Sequence, residues 1–146
     1  MTIKRSSWFW LMALLGCEPQ LVDDPIPLAS FSDEVINLFL PEYAALRLDG
    51  GHKAINNIGV RGVIVYRVSA NVYRAYERNC SYQPNDACAT VDVHASNLYL
   101  FDSCCGSTFS FDEGLPTGGP AWRPLRQYRT QFSGNTLTIS DEILNN

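Results

Sequence analysis

Short runs of β-branched and aromatic residues, separated by turn residues, dominate the chain from Val35 onward. The clearest pair is residues 62–68 and 72–77, which flank a short polar loop at residues 69–71, and this arrangement is typical of a β-hairpin. No long stretch repeats apolar residues every ~3.6 positions, so we predict no long amphipathic helix. Further strands are predicted at residues 35–40, 44–48, 53–57, 89–94, 98–101, 108–111, 125–132 and 136–139. Many short strands with turns between them predict an all-β fold, a small sandwich or barrel of short antiparallel strands.

The N-terminus carries a short positively charged segment followed by an apolar one. Lys4 and Arg5 precede an apolar run at residues 8–15, which is far shorter than the ~20 residues that a membrane-spanning helix needs. This pattern is typical of a secretory signal peptide. The run ends in the sequence LLGC at residues 14–17, which resembles the lipobox of bacterial lipoproteins. That resemblance implies cleavage before Cys17 and lipidation of its thiol. The alternatives are an unlipidated signal peptide or a buried hydrophobic N-terminus.

The predicted signal divides the chain into three parts. We expect residues 1–16 to be a lipoprotein signal peptide, residues 17–32 to be the lipidated cysteine with an extended, proline-containing tether, and residues 33–146 to form one β domain. Removing residues 1–16 leaves 130 residues and changes the formal net charge from −4 to −6. An acidic surface argues against a nucleic-acid partner. The expected location is the cell envelope, on the periplasmic or outer-membrane side, with a membrane bound through the lipid.

Four cysteines remain once Cys17 is assigned to lipid. Cys80, Cys88, Cys104 and Cys105 form an even set, which in an exported protein predicts two disulfides. Their number alone leaves three pairings open. One of these would join the adjacent Cys104 and Cys105, which needs strained geometry. Each disulfide would contribute on the order of 2–4 kcal/mol to stability.

The residues around the last two cysteines carry a specific pattern. It consists of Cys104-Cys105-Gly106-Ser107-Thr108-Phe109, Gly114, Gly119-Pro120-Ala121, Pro124-Leu125, Tyr128, Gly134 and Leu137-Thr138-Ile139. This pattern resembles the second half of a Rieske iron–sulfur domain, and the hairpin before Cys80 resembles the strand pair that leads to its first cluster loop. With its lipobox and residues 56–66, the chain also resembles lipoproteins of Bacteroidetes-type bacteria that carry divergent Rieske-like domains. The resemblance implies a Rieske-like fold over residues 35–140.

A Rieske cluster is bound by two thiolates on one iron and two imidazoles on the other. The four ligand positions of the family correspond, in chain order, to Cys80, Tyr82, Asp102 and Cys105. Of these, only Cys80 matches the ligand type of the family. His52 lies near a turn far upstream and His94 lies within a predicted strand, so neither replaces a missing imidazole.

The resemblance also selects a disulfide pairing. Many cluster-bearing members of the family have a disulfide between the two cluster loops, and its members correspond to Cys88 and Cys104. The remaining Cys80 and Cys105 would then face each other across the cluster position. The resemblance therefore implies the disulfides Cys88–Cys104 and Cys80–Cys105.

Three functions are compatible with this pattern. We favour a membrane-anchored envelope lipoprotein whose degenerate Rieske-like domain is a disulfide-stapled interaction module without a cofactor. The second is an electron carrier with a [2Fe-2S] cluster on Cys80, Tyr82, Asp102 and Cys105, and anionic ligands would give such a cluster a low potential. The third is a thiol–disulfide redox protein that uses Cys80 and Cys105, although no Lys or His lies near them in sequence to stabilise a thiolate.

The interaction module would contact another envelope protein or a ligand. Trp122, Arg123 and Arg126 lie in the loop that covers the cluster edge in the family, and an exposed tryptophan with arginines is a plausible contact surface. The alternatives are packing of Trp122 over its own loop and simple solvation of the arginines. No serine-hydrolase, zinc-protease or phosphate-loop motif is present, so we predict no catalytic residues and, at most, an electron-transfer component of an oxidoreductase system.

Overall fold

The computed structural model describes residues 24–144. The predicted signal peptide, Cys17 and the start of the predicted tether lie outside these residues. The described strands are β1 Glu34–Asn37, β2 His52–Ile55, β3 Val63–Ser69, β4 Val72–Glu77, β5 Val91–Val93, β6 Leu100–Asp102, β7 Thr108–Phe109, β8 Pro116–Gly118, β9 Gln127–Ser133 and β10 Thr136–Ile143. A 3-10 helix spans Pro41–Arg47. Between residues 24 and 144, no helix has the length and hydrophobicity needed to cross a bilayer.

The strands form two antiparallel sheets. The larger has six strands in the order β1-β10-β9-β4-β3-β2, and the smaller has four in the order β5-β6-β7-β8. The predicted hairpin is formed by β3 and β4, with Val65 opposite Ala75. The predicted all-β class with short antiparallel strands is therefore confirmed.

Both faces of the β3–β4 hairpin are buried, because successive side chains point to opposite faces of a sheet. Val63 and Val65 lie in a first core cluster, which packs between the large sheet, the 3-10 helix and the loops next to them. Ile64 and Tyr76 lie in a second core cluster, which joins the large sheet to the small one. The hairpin thus connects the two halves of the domain, and its far end leads directly to Cys80.

Two local predictions differ from the structure. The sequence predicts a strand at residues 44–48, but most of these residues belong to the 3-10 helix, where Ala44 and Ala45 favour helical backbone and Leu46 is fully buried. Pro41 at its start has the fixed φ that suits a first helical position. Strand β8 was not predicted, because Pro and Gly are depleted in strands and are tolerated at a sheet edge.

Residues 24–32 have no regular secondary structure and lie against the domain. Phe31 packs edge-on against Tyr128, with 5.1 Å between ring centroids. Ser30 Oγ donates a hydrogen bond to Asp141 Oδ2 at 3.1 Å. The division of the chain into signal, tether and domain stays a prediction, and the described end of the expected tether is in contact with the β domain.

A buried carboxylate fixes the base of the hairpin. Glu77 is fully buried, and its Oε2 accepts hydrogen bonds from Val60 N at 2.7 Å and from the Tyr128 hydroxyl at 2.7 Å. Its Oε1 accepts from Arg61 N at 3.0 Å and Asn79 N at 2.9 Å. Four donors on one carboxylate hold the β2–β3 loop, the end of β4 and β9 together just before Cys80.

Candidate functional site

Two loops carry the four cysteines of the domain. The first cysteine loop, residues 78–90, connects β4 to β5, and the second cysteine loop, residues 103–107, connects β6 to β7. The disulfide Cys88–Cys104 joins them, with 5.5 Å between the Cα atoms, as the resemblance implied. It closes a segment with a sequence separation of 16, for which the unfolded-chain model predicts about 3 kcal/mol of stabilisation.

Arg61 holds the outer part of the first cysteine loop. Its guanidinium donates hydrogen bonds to Ala87 O at 2.7 Å, to Asp86 O at 2.5 Å and to the side-chain oxygen of Asn79. At the inner end of the loop, Cys80 N donates to Ala89 O at 3.1 Å. The loop is thereby folded back on itself, and the Cys80 side chain is directed into the second core cluster.

The second cysteine loop is a tight turn at the end of β6. Asp102 N donates to Ser107 O at 2.9 Å, and Gly106 N donates back to Asp102 O at 2.9 Å. Gly106 has a φ of 78°, in the left-handed region that glycine adopts without a steric cost. Inside this turn, Asp102 Oδ1 accepts a hydrogen bond from Cys104 N at 2.8 Å.

The two loops and the end of β6 bring Cys80, Asp102 and Cys105 together. The Sγ atoms of Cys80 and Cys105 are 3.9 Å apart, and Cys105 Sγ lies 3.3 Å from Asp102 Oδ2. One ligand atom from each of the three residues lies within 4.8 Å of the other two. Cys80 and Asp102 are fully buried, whereas Cys105 is partly exposed. We refer to these three residues as the thiol–carboxylate site.

The sulfurs of Cys80 and Cys105 are close but not bonded in the structure. The predicted second disulfide is therefore not formed here, and it stays a prediction for the oxidised protein. Burial raises the pKa of the Cys80 thiol well above its usual value, and a hydrogen bond to Asp102 raises it further, while the backbone N–H of Tyr82 opposes this shift. Cys80 is consequently a poor nucleophile at neutral pH.

A third segment, residues 119–125, packs against the thiol–carboxylate site, and we call it the covering segment. Ser107 Oγ lies 3.0 Å from Cys105 Sγ and accepts a hydrogen bond from Ala121 N at 3.0 Å. Ser81 Oγ donates to Arg123 O at 2.7 Å, which ties the segment to the first cysteine loop. Gly119 allows the close approach, because a Cβ at this position would lie 2.6 Å from Ser107 Cα.

The predicted contact surface differs in part from the structure. Trp122 is 43% exposed, and the Arg123 guanidinium lies over its ring, 5.2 Å from the centroid. Arg123 also donates to Ser81 O and Asp24 O, each at 2.8 Å, and Arg126 donates to Ile26 O at 3.0 Å. The arginines therefore fasten residues 24–26 and the first cysteine loop to the covering segment, and Trp122 is the exposed part of this surface.

The donor set does not fit a two-iron cluster. Such a cluster needs two ligands for each iron, whereas the three ligand atoms of the thiol–carboxylate site lie around a single point. His94 stacks on Tyr99 with 4.3 Å between ring centroids, and His52 stacks on Phe111. Neither histidine belongs to the site. Tyr82, at the remaining ligand position, packs at the edge of the second core cluster and contributes its backbone N–H to the Cys80 sulfur.

Two residues at the site were not singled out from the sequence as functional. Ser107 connects Cys105 to the covering segment, and Glu77 fixes the strand that leads to Cys80. Ser107 was visible in the sequence as part of the Cys-Gly-Ser pattern. Glu77 gave no such signal, because a glutamate at a strand end is ordinarily an exposed residue.

Comparison with known proteins gives limited similarity. No family model and no curated protein match the sequence. Among solved structures, the chain is similar to one from the complex of reduced oxygenase and oxidised ferredoxin in carbazole 1,9a-dioxygenase, with a TM-score of 0.48 and 20% identity over 67% of this chain and 87% of that chain. The ferredoxin of carbazole 1,9a-dioxygenase from Nocardioides aromaticivorans IC177 gives a TM-score of 0.44 and 20% identity over 65% of this chain and 88% of that chain. Likeness at this level does not transfer ligands or activity to this chain.

Proposed function

We propose that this protein is an envelope lipoprotein whose Rieske-like domain is a disulfide-stapled contact module rather than a carrier of an iron–sulfur cluster. The thiol–carboxylate site supports this proposal most directly. It combines two cysteines and one aspartate, with no imidazole among the described residues of the site, and its ligand atoms cluster around one point rather than two. The disulfide Cys88–Cys104 joins these loops, and Ser81 ties the first of them to the covering segment.

The first experiment measures iron in the purified full chain. A contact module is colourless and contains neither stoichiometric iron nor acid-labile sulfide, even after anaerobic purification from iron-supplemented cells. A visible absorption spectrum with two irons and two sulfides per chain would refute the proposal and establish the electron-carrier alternative. Cys105→Ser is then the informative variant, because it removes a ligand of the alternative cluster from a partly exposed position.

Membrane attachment rests on Cys17 and is tested separately. The wild-type chain should incorporate a clickable fatty acid and remain in the membrane fraction after a high-salt wash, since acyl chains add about 0.8 kcal/mol of membrane affinity per buried methylene. Cys17→Ala should abolish both results. Equal labelling of wild type and Cys17→Ala would refute lipidation at this residue.

The proposed partner is another protein of the envelope, bound at Trp122. Support comes from the exposure of Trp122 beside a guanidinium that is itself fixed in place, since aromatic residues and arginine are enriched at the centres of interfaces. A photocrosslinking amino acid at position 122 should capture a discrete envelope protein in intact cells. The matched control is the same amino acid at Leu98, which is more exposed. Capture at both positions, or at neither, would contradict the proposed surface.

The short distance between the Cys80 and Cys105 sulfurs supports a second candidate, a thiol–disulfide redox function. In that case Cys105, which is partly exposed, would be the attacking thiol, and the second exchange, by buried Cys80, would be slow at neutral pH because burial raises the pKa of that thiol. The measurement is the reduction potential of the pair in the full chain. A potential within the range of envelope oxidoreductases would support this candidate, and one far below that of the compartment would refute it.

A further inference from the structure

We propose that Cys80, Asp102 and Cys105 bind one soft divalent cation, with zinc as the best match. This mononuclear site is a different entity from the two-iron cluster of the Rieske family. It does not depend on the proposed contact function, and it would serve as a second staple between the two cysteine loops.

The spacing of the ligand atoms fits one tetrahedral ion. Two thiolates bound to the same zinc at about 2.3 Å are separated by about 3.8 Å, and a bound thiolate and carboxylate oxygen by about 3.5 Å. The Sγ atoms of Cys80 and Cys105 are 3.9 Å apart, and Cys105 Sγ lies 3.3 Å from Asp102 Oδ2. Small side-chain rotations are therefore enough to place an ion between them.

The environment of Asp102 is the second, independent observation. Its carboxylate is fully buried, yet among the described residues no lysine or arginine forms an ion pair with it. Its Oδ1 accepts a backbone hydrogen bond from Cys104, and the other donors to the carboxylate are the thiols of Cys105 and Cys80, which are weak donors. Glu77, the other buried carboxylate between residues 24 and 144, accepts hydrogen bonds from three N–H groups and one hydroxyl. Buried carboxylates are normally paired with a cationic side chain or bound to a metal ion, and Asp102 has no cationic side chain beside it among the described residues.

Outer contacts around the site are of the type that orient metal ligands. The backbone N–H groups of Cys104 and Tyr82 are directed at Asp102 Oδ1 and at the Cys80 sulfur, respectively. Ser107 Oγ contacts the Cys105 sulfur at 3.0 Å. Hydrogen bonds of this kind fix ligand orientation and support negative charge on a bound thiolate. The partial exposure of Cys105 gives the ion a route into the site from one side.

The chemistry of the donors selects the class of cation. Two thiolates favour zinc and other borderline or soft ions, whereas magnesium and calcium prefer an all-oxygen shell. Binding exchanges two thiol protons for the ion and transfers no electrons. Three protein ligands leave one position of a tetrahedron for water. A Cys80–Cys105 disulfide would withdraw both sulfur ligands, so the metal-bound form and the second disulfide exclude each other.

Metal content and cobalt spectroscopy of the full chain test the proposal. The chain, purified in detergent from zinc-supplemented cells, should retain one zinc per chain after dialysis against metal-free buffer. Replacement of zinc by cobalt(II) should produce thiolate-to-cobalt charge-transfer absorption and the intense visible bands of tetrahedral cobalt. Titrating zinc against the cobalt form then gives the affinity.

Two site variants and one control locate the ion. Cys105→Ser should abolish the charge-transfer band or halve it. Asp102→Asn removes a ligand, so it should lower the metal affinity by more than the roughly 10–100-fold that is typical when a residue hydrogen-bonded to a ligand is replaced. Asp92→Asn should bind the ion as the wild type does. Asp92 is a suitable control because it is an exposed acid on β5, paired with Arg78. Circular dichroism checks that each variant is folded. If a variant is not folded, the cobalt spectrum of the wild type alone shows whether thiolates bind the ion.

Several results would overturn the proposal. One is a metal-free chain whose Cys80 and Cys105 are free thiols in the presence of excess zinc. Another is a Cys80–Cys105 disulfide that forms even when zinc is present during expression and purification. Two irons with two sulfides per chain, or a cobalt spectrum that is identical in wild type and in both site variants, would overturn it equally.

Discussion

Glu77→Gln removes the charge of a fully buried carboxylate with almost no change in side-chain shape. In the native protein each carboxylate oxygen accepts two hydrogen bonds. Val60 N and the Tyr128 hydroxyl donate to Oε2, and Arg61 N and Asn79 N donate to Oε1. A glutamine amide has one acceptor oxygen and one NH2 group. With the oxygen facing Arg61 N and Asn79 N, the Tyr128 hydroxyl can turn to accept from the NH2 group, and only Val60 N faces another donor.

The expected cost follows from this lost bond. A hydrogen bond to a charged group is worth about 1.5–3 kcal/mol, so losing the bond from Val60 N should lower the free energy of unfolding by about 1.5–3 kcal/mol. A small domain has only about 5–15 kcal/mol in total, so this loss is a large fraction of its stability. Tyr128→Phe removes one donor and keeps the carboxylate, so its cost should be about 1.5–3 kcal/mol.

Urea unfolding followed by tryptophan fluorescence measures both changes. The midpoint should fall while the slope with urea stays constant, which indicates a change of stability rather than of the denatured state. The matched control is Glu142→Gln on β10, where the carboxylate is exposed and paired with exposed Arg129; its midpoint should stay within the error of the measurement. A loss below about 1 kcal/mol for Glu77→Gln would refute the reasoning, because it would mean that the four contacts do not act as charge-assisted hydrogen bonds.

Three further changes test other parts of the structure. Replacing both Cys88 and Cys104 by alanine should lower the free energy of unfolding by about 3 kcal/mol in the same urea experiment, and an unchanged midpoint would contradict the stapling role of the bridge. Gly119→Ala should lower the free energy of unfolding by more than about 1 kcal/mol, since φ is +80° and the new Cβ would meet the backbone of Ser107. An unchanged free energy of unfolding would show that the backbones at positions 119 and 107 are not in tight contact. Burial and the Glu77 carboxylate raise the pKa of Tyr128 above its ordinary value of 10.0. The unfolded chain therefore loses this proton first, and stability should fall as the pH rises above 10, by at most about 1.4 kcal/mol per pH unit from this residue. Tyr128→Phe should reduce that slope, and an equal slope in both proteins would refute the assignment.

The sequence predicts the fold best where the deciding interactions are local. The β3–β4 hairpin is predicted correctly, because strand alternation and a short polar loop act between neighbours in the chain. The prediction is wrong at residues 44–48, where two alanines favour helical backbone and burial of Leu46 selects a helical turn. Strand β8 escapes prediction because its Pro and Gly are acceptable only at the edge position that the small sheet provides.

The candidate site is predicted only in part. The resemblance to Rieske domains implies that the two cysteine loops face each other and that Cys88 and Cys104 are bonded, and the structure has both features. It does not imply that Asp102 lies beside both sulfurs without an ion-pair partner, or that Ser107 links Cys105 to the covering segment. The contact surface is also redefined, since Arg123 and Arg126 bind backbone carbonyls of the chain itself.

The sequence by itself determined the strand-rich class, the cysteine count, the acidic charge and the expectation of a lipid anchor at Cys17. These follow from residue types and short-range patterns, which act over a few neighbouring positions. Only the tertiary structure decided that the Cys80 and Cys105 sulfurs lie 3.9 Å apart, that Asp102 is buried between thiols and that Glu77 collects four donors. The physical reason is that burial and hydrogen-bond partners come from segments far apart in the chain, and their positions are set by how the two sheets pack.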